Sequence, residues 1–435
     1  MKVLSITAGA AGMYCGSCAR DNALARELLE RGHDVTLIPV YTPTRTDEPN
    51  VSQQRVLFGG ISVYLQHYVS LFRKIPRFVD RFWDAPKVIG AFAGRMVSND
   101  PKMLGELTLS MLEGESGVLR REFEKLLEWI RAEPLPDIIN LPNSLLICLA
   151  RPLRRELKRP VVCTLQGEEL FIEGLVEPYR TEALERIRSQ VTHVDHFIPV
   201  SQYCSDFMTR YLRLPKDKAS VVPLGINMQG YDRRPPAPER EFRIGYFARI
   251  APEKGLHVLA DAYVRFRHRI PDSRARLEAA GYASPAHVPY LDQVKRILKQ
   301  ADLEKEFTYH GVVDREGKLG FLRNLDLLSV PATYDEPKGM FLLEAMACGV
   351  PVVQPRRGAF VEIVEKTGGG LLVAPDDPDA LANAFVDLYK DRSATEALGN
   401  KGFQNVRTHY SVELSAERLL QVYESVLSAK RAPTT

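Results

Sequence analysis

Two carboxylates eight residues apart, Glu336 and Glu344, stand in the stretch Glu336-Pro337-Lys338-Gly339-Met340-Phe341-Leu342-Leu343-Glu344-Ala345-Met346-Ala347-Cys348-Gly349-Val350-Pro351. The first sits in a turn of Pro, Lys and Gly. The second lies inside an apolar helical run that Gly349 and Pro351 stop. A buried acid on a helix is costly unless something hydrogen-bonds it, so Glu344 needs a partner. A helix starting near Gly339 offers unpaired amides and the positive end of its dipole, which together make an anion site. One compact ligand carrying an anion and hydroxyls would satisfy both ends, and a nucleoside diphosphate with its ribose has that chemistry. A core helix with one salt-bridged Glu is the plainer reading of the same residues.

Upstream, Ile244-Gly245-Tyr246-Phe247-Ala248-Arg249 reads as an apolar strand. Ile250-Ala251-Pro252-Glu253-Lys254-Gly255 follows, and a helical pattern begins at Leu256. Arg249 is thereby expected at the strand's C-terminal end and Lys254 at the next helix's N-terminus, the edge where open parallel sheets bind ligands. Cations are needed there. A helix terminus contributes roughly 0.3–1 kcal/mol, up to about 2 when partly buried, whereas micromolar binding takes about 8 kcal/mol. Two positive side chains on phosphate, with ribose and base contacts, could close that gap.

With these two motifs the second half resembles the donor half of the retaining glycosyltransferases of family 4, which have the GT-B fold. The resemblance continues through Phe307-Thr308-Tyr309-His310-Gly311-Val312-Val313, Leu325-Asp326-Leu327-Leu328-Ser329-Val330-Pro331 and Gly358-Ala359-Phe360-Val361-Glu362. Looser matches in the first half are Gly32-His33-Asp34-Val35, Pro199-Val200-Ser201 and Val222-Pro223-Leu224-Gly225-Ile226-Asn227. The resemblance implies an α/β, GT-B architecture: two Rossmann-like domains facing a central cleft, with a C-terminal helix crossing back to the N-terminal domain. The expected organisation is an acceptor-side domain over 1–228 with an insertion at about 60–130, completed by a helix over 410–430. A proline-rich, charged linker over 229–241 and a donor domain over 242–409 follow.

Bulk properties agree with two domains. The 435 residues are 45% apolar and 26% charged, with a net charge of +3, ordinary for a globular chain. That charge is too small to argue for nucleic acid. No apolar run approaches the ~18 residues of a membrane span. Six scattered cysteines make no disulfide framework, so a cytoplasmic setting is expected. Ser70–Trp83 mixes aromatics with bases, but Pro76, Pro86, Asp80 and Asp84 interrupt any basic face. An acceptor-side insertion is therefore preferred there over a membrane-surface helix.

Elements alternate from the start: a strand over Val3–Thr7, a helix over Ala19–Arg31, a strand over Asp34–Pro39. Further strands are expected at about Asp137–Leu141, Val161–Leu165, His196–Val200 and Ala219–Val222. After the first strand, Gly9-Ala10-Ala11-Gly12-Met13-Tyr14-Cys15-Gly16-Ser17-Cys18 is a glycine-rich loop without the dinucleotide spacing. Its Cys15-x-x-Cys18 lacks further zinc ligands nearby. The pair would have a depressed thiol pKa only if it opened the next helix, and is read as structural.

The resemblance implies that Arg249 and Lys254 neutralise the diphosphate leaving group. Gly339, Met340 and Phe341 would offer amides to phosphate, Glu344 would take the ribose hydroxyls, and Glu336 would lie near the sugar. Gly16 aligns with the family's loop glycines, and Val312 falls in the segment expected to contact the base. Gln166 stands where many members carry a histidine; it can bond a sugar hydroxyl but cannot become cationic. Glu168 is weighed as an acceptor-side base against an ordinary loop role. The implied activity is hexosyl transfer from a UDP- or GDP-sugar to a hydroxyl on a glycan, lipid or small molecule. No metal and no cofactor beyond the nucleotide-sugar substrate are expected. A sugar-nucleotide epimerase or phosphorylase of the same fold, or a non-catalytic nucleotide-sugar-binding protein, is the alternative.

Overall fold

The computed structural model describes residues 1–9, 15–53, 100–233 and 240–431. Its contacts divide the chain into two compact units, Met1–Pro223 with Ser415–Thr435, and Leu224–Leu414.

In the first unit β1 (Lys2–Thr7), β2 (Asp34–Pro39), β3 (Ile138–Leu141), β4 (Val161–Leu165) and β5 (His196–Pro199) form one sheet in the order β2-β1-β3-β4-β5. Every pairing is parallel. Runs such as Val161-Val162-Cys163-Thr164-Leu165 are buried at every position, as a sheet covered on both faces requires. The strand expected at Ala219–Val222 is reduced to a single bridge between Ala219 and Phe197. Pro223 follows and has no amide to extend a ladder. The first helix spans Gly16–Glu30, three residues earlier than the expected start.

Of the insertion, helices Pro101–Leu112 and Arg120–Ala132 are described. Asp100 caps the first by accepting from the Lys102 amide at 2.9 Å. Ser70–Trp83 lies outside the described residues. Among the described residues no helix is long and apolar enough to cross a membrane.

The second unit holds β6 (Phe242–Phe247), β7 (Ala275–Ala280), β8 (Phe307–Tyr309), β9 (Leu327–Leu328), β10 (Val352–Pro355) and β11 (Gly370–Val373). Their order is β11-β10-β9-β6-β7-β8, parallel throughout. Successive strands go one way from β6 and the other way from β9. The crevice beyond the C-terminal ends of those two strands is a topological switch point.

The boundary between units falls at Pro223 and Leu224, ahead of the proline-rich stretch expected to link them. Tyr231 explains part of this: it is 1% exposed and packed into the second unit. Residues 234–239 lie outside the described residues. The last helix, Val412–Arg431, belongs to the first unit from Ser415 onward. There Leu419, Tyr423 and Val426 are buried, Ser415 Oγ donates to the Pro223 carbonyl at 2.5 Å, and Lys430 pairs with Asp195 at 3.2 Å.

Candidate functional site

The loops leaving β6 and β9 are pinned together at the switch point of the second unit. Gly255 has φ 75°, and a Cβ there would lie 1.9 Å from the Pro331 carbonyl oxygen, so only glycine fits this crossing. The Thr333 amide donates to the Glu253 carbonyl at 2.9 Å. Between these ties sits Lys254, in the single turn Pro252–Lys254 that precedes helix Leu256–Arg269. Its Nζ donates to the Tyr334 hydroxyl at 2.6 Å and to Glu336 Oε2. The Tyr334 hydroxyl donates to the same carboxylate oxygen.

Glu336 is 2% exposed. Its own carbonyl accepts from the Ala359 amide at 2.8 Å, which fixes the backbone that carries it. Burial by itself would raise its pKa. The ammonium of Lys254, then that of Lys338, and the hydrogen bonds from Lys254 and Tyr334 outweigh burial and hold it at about 2. Glu336 is an anion at any physiological pH. Burial, followed by the Glu336 charge, pushes the Tyr334 phenol well up, so Tyr334 stays protonated and a donor.

The second carboxylate rides on helix Met340–Ala347, whose N-cap is Gly339 at φ 75°. Among the described residues no side chain caps this end, so its first-turn amides keep the deficit common to helix starts. The Lys254 ammonium lies 6.0 Å from the centroid of the Phe341 ring in that first turn. One turn on, Glu344 is 7% exposed. Its Oε1 accepts from Lys318 at 2.6 Å and from the Tyr231 hydroxyl at 2.9 Å. Among the described residues no hydrogen bond falls on Oε2. Arg315 stacks over the Tyr231 ring, 5.0 Å from its centroid.

Arg249 is bound by Glu253 at 2.7 Å, and its side chain is 45% exposed. Its charge reaches the buried Tyr334 phenol. Val312 is exposed beside His310, whose Nε2 meets Glu278 at 2.6 Å. The structure thus gathers Lys254, Glu336, Gly339, Met340, Phe341 and Glu344 around one helix start, with Arg249 on the adjoining loop.

Gly16 and Gln166 belong to the other unit, following β1 and β4. Gly16 is the exposed first residue of its helix. Gln166 is 3% exposed; its Nε2 donates to the Pro142 carbonyl at 2.8 Å, and its buried Oε1 has no partner among the described residues. Glu168, weighed as a base against an ordinary loop role, is bonded to the backbone of its own unit. Its Oε1 accepts from the Ser144 amide and its Oε2 from the Gln166 amide, both at 2.8 Å, at 6% exposure.

Sequence reasoning missed Lys318, Tyr231 and Tyr334. A signal for Lys318 was present: in Arg315–Arg323 it shares the buried helix face with Leu319, Phe321 and Leu322, where a lysine needs an acid.

Comparison with known proteins follows these lines. The profile described as Glycosyl transferases group 1 matches residues 228–405, and that described as Glycosyltransferase Family 4 matches 109–229. The lipopolysaccharide core biosynthesis mannosyltransferase LpsB of Rhizobium meliloti is 31% identical over 194 residues, 44% of this chain and 53% of that protein. The D-inositol 3-phosphate glycosyltransferase of Corynebacterium jeikeium is 30% identical over 217 residues, 47% of this chain and 51% of that protein. The matched part thus spans about half the length of these two relatives. Sucrose-phosphate synthase of Thermosynechococcus elongatus superimposes with a TM-score of 0.72 at 19% identity, covering 99% of this chain and 100% of its own. That likeness shows the fold, GT-B with two parallel-sheet Rossmann-like units.

Proposed function

This chain belongs to glycosyltransferase family 4, and from that premise we propose that it moves a hexosyl group from a UDP- or GDP-sugar to a hydroxyl acceptor, with retention at the anomeric carbon. The observation that carries the reading is the ammonium of Lys254, held by Tyr334 and Glu336 beside the start of Met340–Ala347. A diphosphate lodged there meets Lys254, Arg249 and the amides of Gly339, Met340 and Phe341. The charge that develops on the departing oxygen is then stabilised by groups already in place. Glu344 turns Oε2 to the ribose, while Lys318 and Tyr231 hold Oε1. Glu336, ionised throughout, faces the positive charge that grows on the sugar ring. A mannosyl group in one relative's name and an inositol phosphate in the other's support a hexosyl donor and a polyhydroxyl acceptor.

The test is a thermal-shift panel of nucleoside diphosphates and nucleotide sugars, followed by turnover of the best donor in Lys254→Ala and Arg249→Ala. A ligand at a hundred times its Kd adds about 2.7 kcal/mol of apparent stability, which fixes the base and sugar. Both variants should lose turnover by orders of magnitude. Near-normal turnover in both refutes the phosphate assignment.

A further inference from the structure

Cys15 and Cys18 open a helix. With the helix running Gly16–Glu30, Cys15 is its N-cap, in extended conformation at φ −121° and ψ 126°, and Cys18 is the third residue of its first turn. Side chains three apart on one turn stand about 5–6 Å between Cβ atoms. A small adjustment brings them to the roughly 3.5–4.5 Å of a disulfide. In the reduced protein the neighbouring Cys15, then burial, push the Cys18 thiol well up, so it stays protonated until its partner is oxidised.

The two sulfurs are unlike. Cys15 is partly exposed and Cys18 is 1% exposed, while Cys148, Cys163, Cys204 and Cys348 are all buried. One turn further on, Asp21 is 4% exposed and bonded to the Thr7 hydroxyl at 3.0 Å and to Arg20 at 3.2 Å. Burial, opposed by Arg20, lifts its carboxyl to about 6. Among the described residues no group of three or more His, Cys, Asp or Glu could hold a metal.

We propose that Cys15 and Cys18 form a thiol–disulfide exchange site, with Cys15 as the attacking sulfur and Cys18 as the resolving one. The proposal is independent of the glycosyl-transfer reading. The oxidant is a small-molecule disulfide, R–S–S–R. The Cys15 thiolate, favoured by the amides and dipole of the helix start, attacks one sulfur; the R–S–S–R bond breaks, and the released thiolate takes up the proton that Cys15 lost. The Cys18 sulfur then attacks Cys15 Sγ. The mixed disulfide breaks, and the second released thiolate takes the proton from Cys18. In sum two cysteine thiols are oxidised to one disulfide and R–S–S–R is reduced to two thiols.

The experiment is intact-mass and peptide mapping of the full chain equilibrated in buffers of reduced and oxidised glutathione. The wild type should lose two hydrogens in a single step and yield a Cys15–Cys18 cross-linked peptide, reversed by excess reduced glutathione. C18S should instead accumulate one glutathione on Cys15, and C15S should stay unmodified. With iodoacetamide at pH 7, Cys15 should react about tenfold faster than an ordinary free thiol. A wild type that keeps both thiols in oxidised glutathione, or that stops as a mixed disulfide, overturns the proposal. So does a C18S whose Cys15 fails to react. The wild-type mass alone decides the matter if either variant does not fold.

Discussion

Replacing Lys254 by Met removes the ammonium while keeping most of the side chain's volume, and the structure sets the size of the effect. Glu336 is 2% exposed, so solvent screens it little. Lowering its pKa from the ordinary 4.5 to about 2 is worth about 3 kcal/mol at 1.36 kcal/mol per pKa unit. The folded value lies below the unfolded one. That stability is therefore fully present above about pH 4.5 and is lost as the pH falls towards 2. Without Lys254, burial is opposed mainly by Lys338 and Tyr334, and the folded value climbs. Lys254→Met should then cost about 3 kcal/mol at pH 7, in line with breaking a buried pair, and its stability should no longer decline between pH 4.5 and 2. Lys254→Met/Glu336→Gln should recover most of the loss without recovering turnover. Both tryptophans, Trp83 and Trp129, precede Pro223, so fluorescence does not report on the second unit. Hydrogen exchange of amides in β6 and Met340–Ala347, against urea and pH, does. A Lys254→Met protein within about 1 kcal/mol of wild type, or one whose acid decline parallels it, refutes the reasoning.

Four further outcomes follow from the geometry. Glu344→Gln and Lys318→Met should each weaken UDP or GDP binding roughly ten- to hundredfold, the loss of one charged hydrogen bond; calorimetry checks this, and unchanged affinity removes the ribose role. Gly255→Ala meets a backbone oxygen at 1.9 Å with φ at 75° and should cost at least about 1–3 kcal/mol, seen as a lower Tm. Gly16→Ala has nothing within 4 Å of the added methyl and should leave stability equal or better by up to about 1 kcal/mol. Glu168→Gln gives up an acceptor for a buried amide and should destabilise the first unit by about 1–3 kcal/mol, as tryptophan fluorescence would show; lost turnover at unchanged stability would support the base role.

The parts of the molecule that repeat a local rule were readable in one dimension. Asp34–Pro39 and Val161–Leu165 are strands with the expected ends because continuous apolar runs between polar breaks admit little else. The pairing of Lys254 with the Glu336 segment was readable because parallel strands deliver their following loops to one edge, whereas the Arg249 side chain is taken by Glu253. What stayed hidden depends on partners distant in sequence. Tyr231 sits in a stretch whose proline and charge masked one buried ring. The role of Glu168 is set by the Ser144 amide, 24 residues earlier, and an exposed base and a buried loop clamp have the same letter. The helix start at Gly16 was placed late because Gly and Ser score poorly as helix interior yet are tolerated in a first turn.

The assignment of Ser415–Arg431 to the first unit bears on how the polypeptide is made. A ribosome releases residues 1–223 well before this last helix exists, while residues 224–414 emerge as one uninterrupted block. During synthesis the earlier block therefore waits, with the hollow that Tyr423 later fills beside Arg20 and Asp21 still open, and the later block can finish first. This reverses the usual N-to-C order of domain maturation. A premature stop near codon 412 would accordingly harm the half of the protein farthest from it along the message.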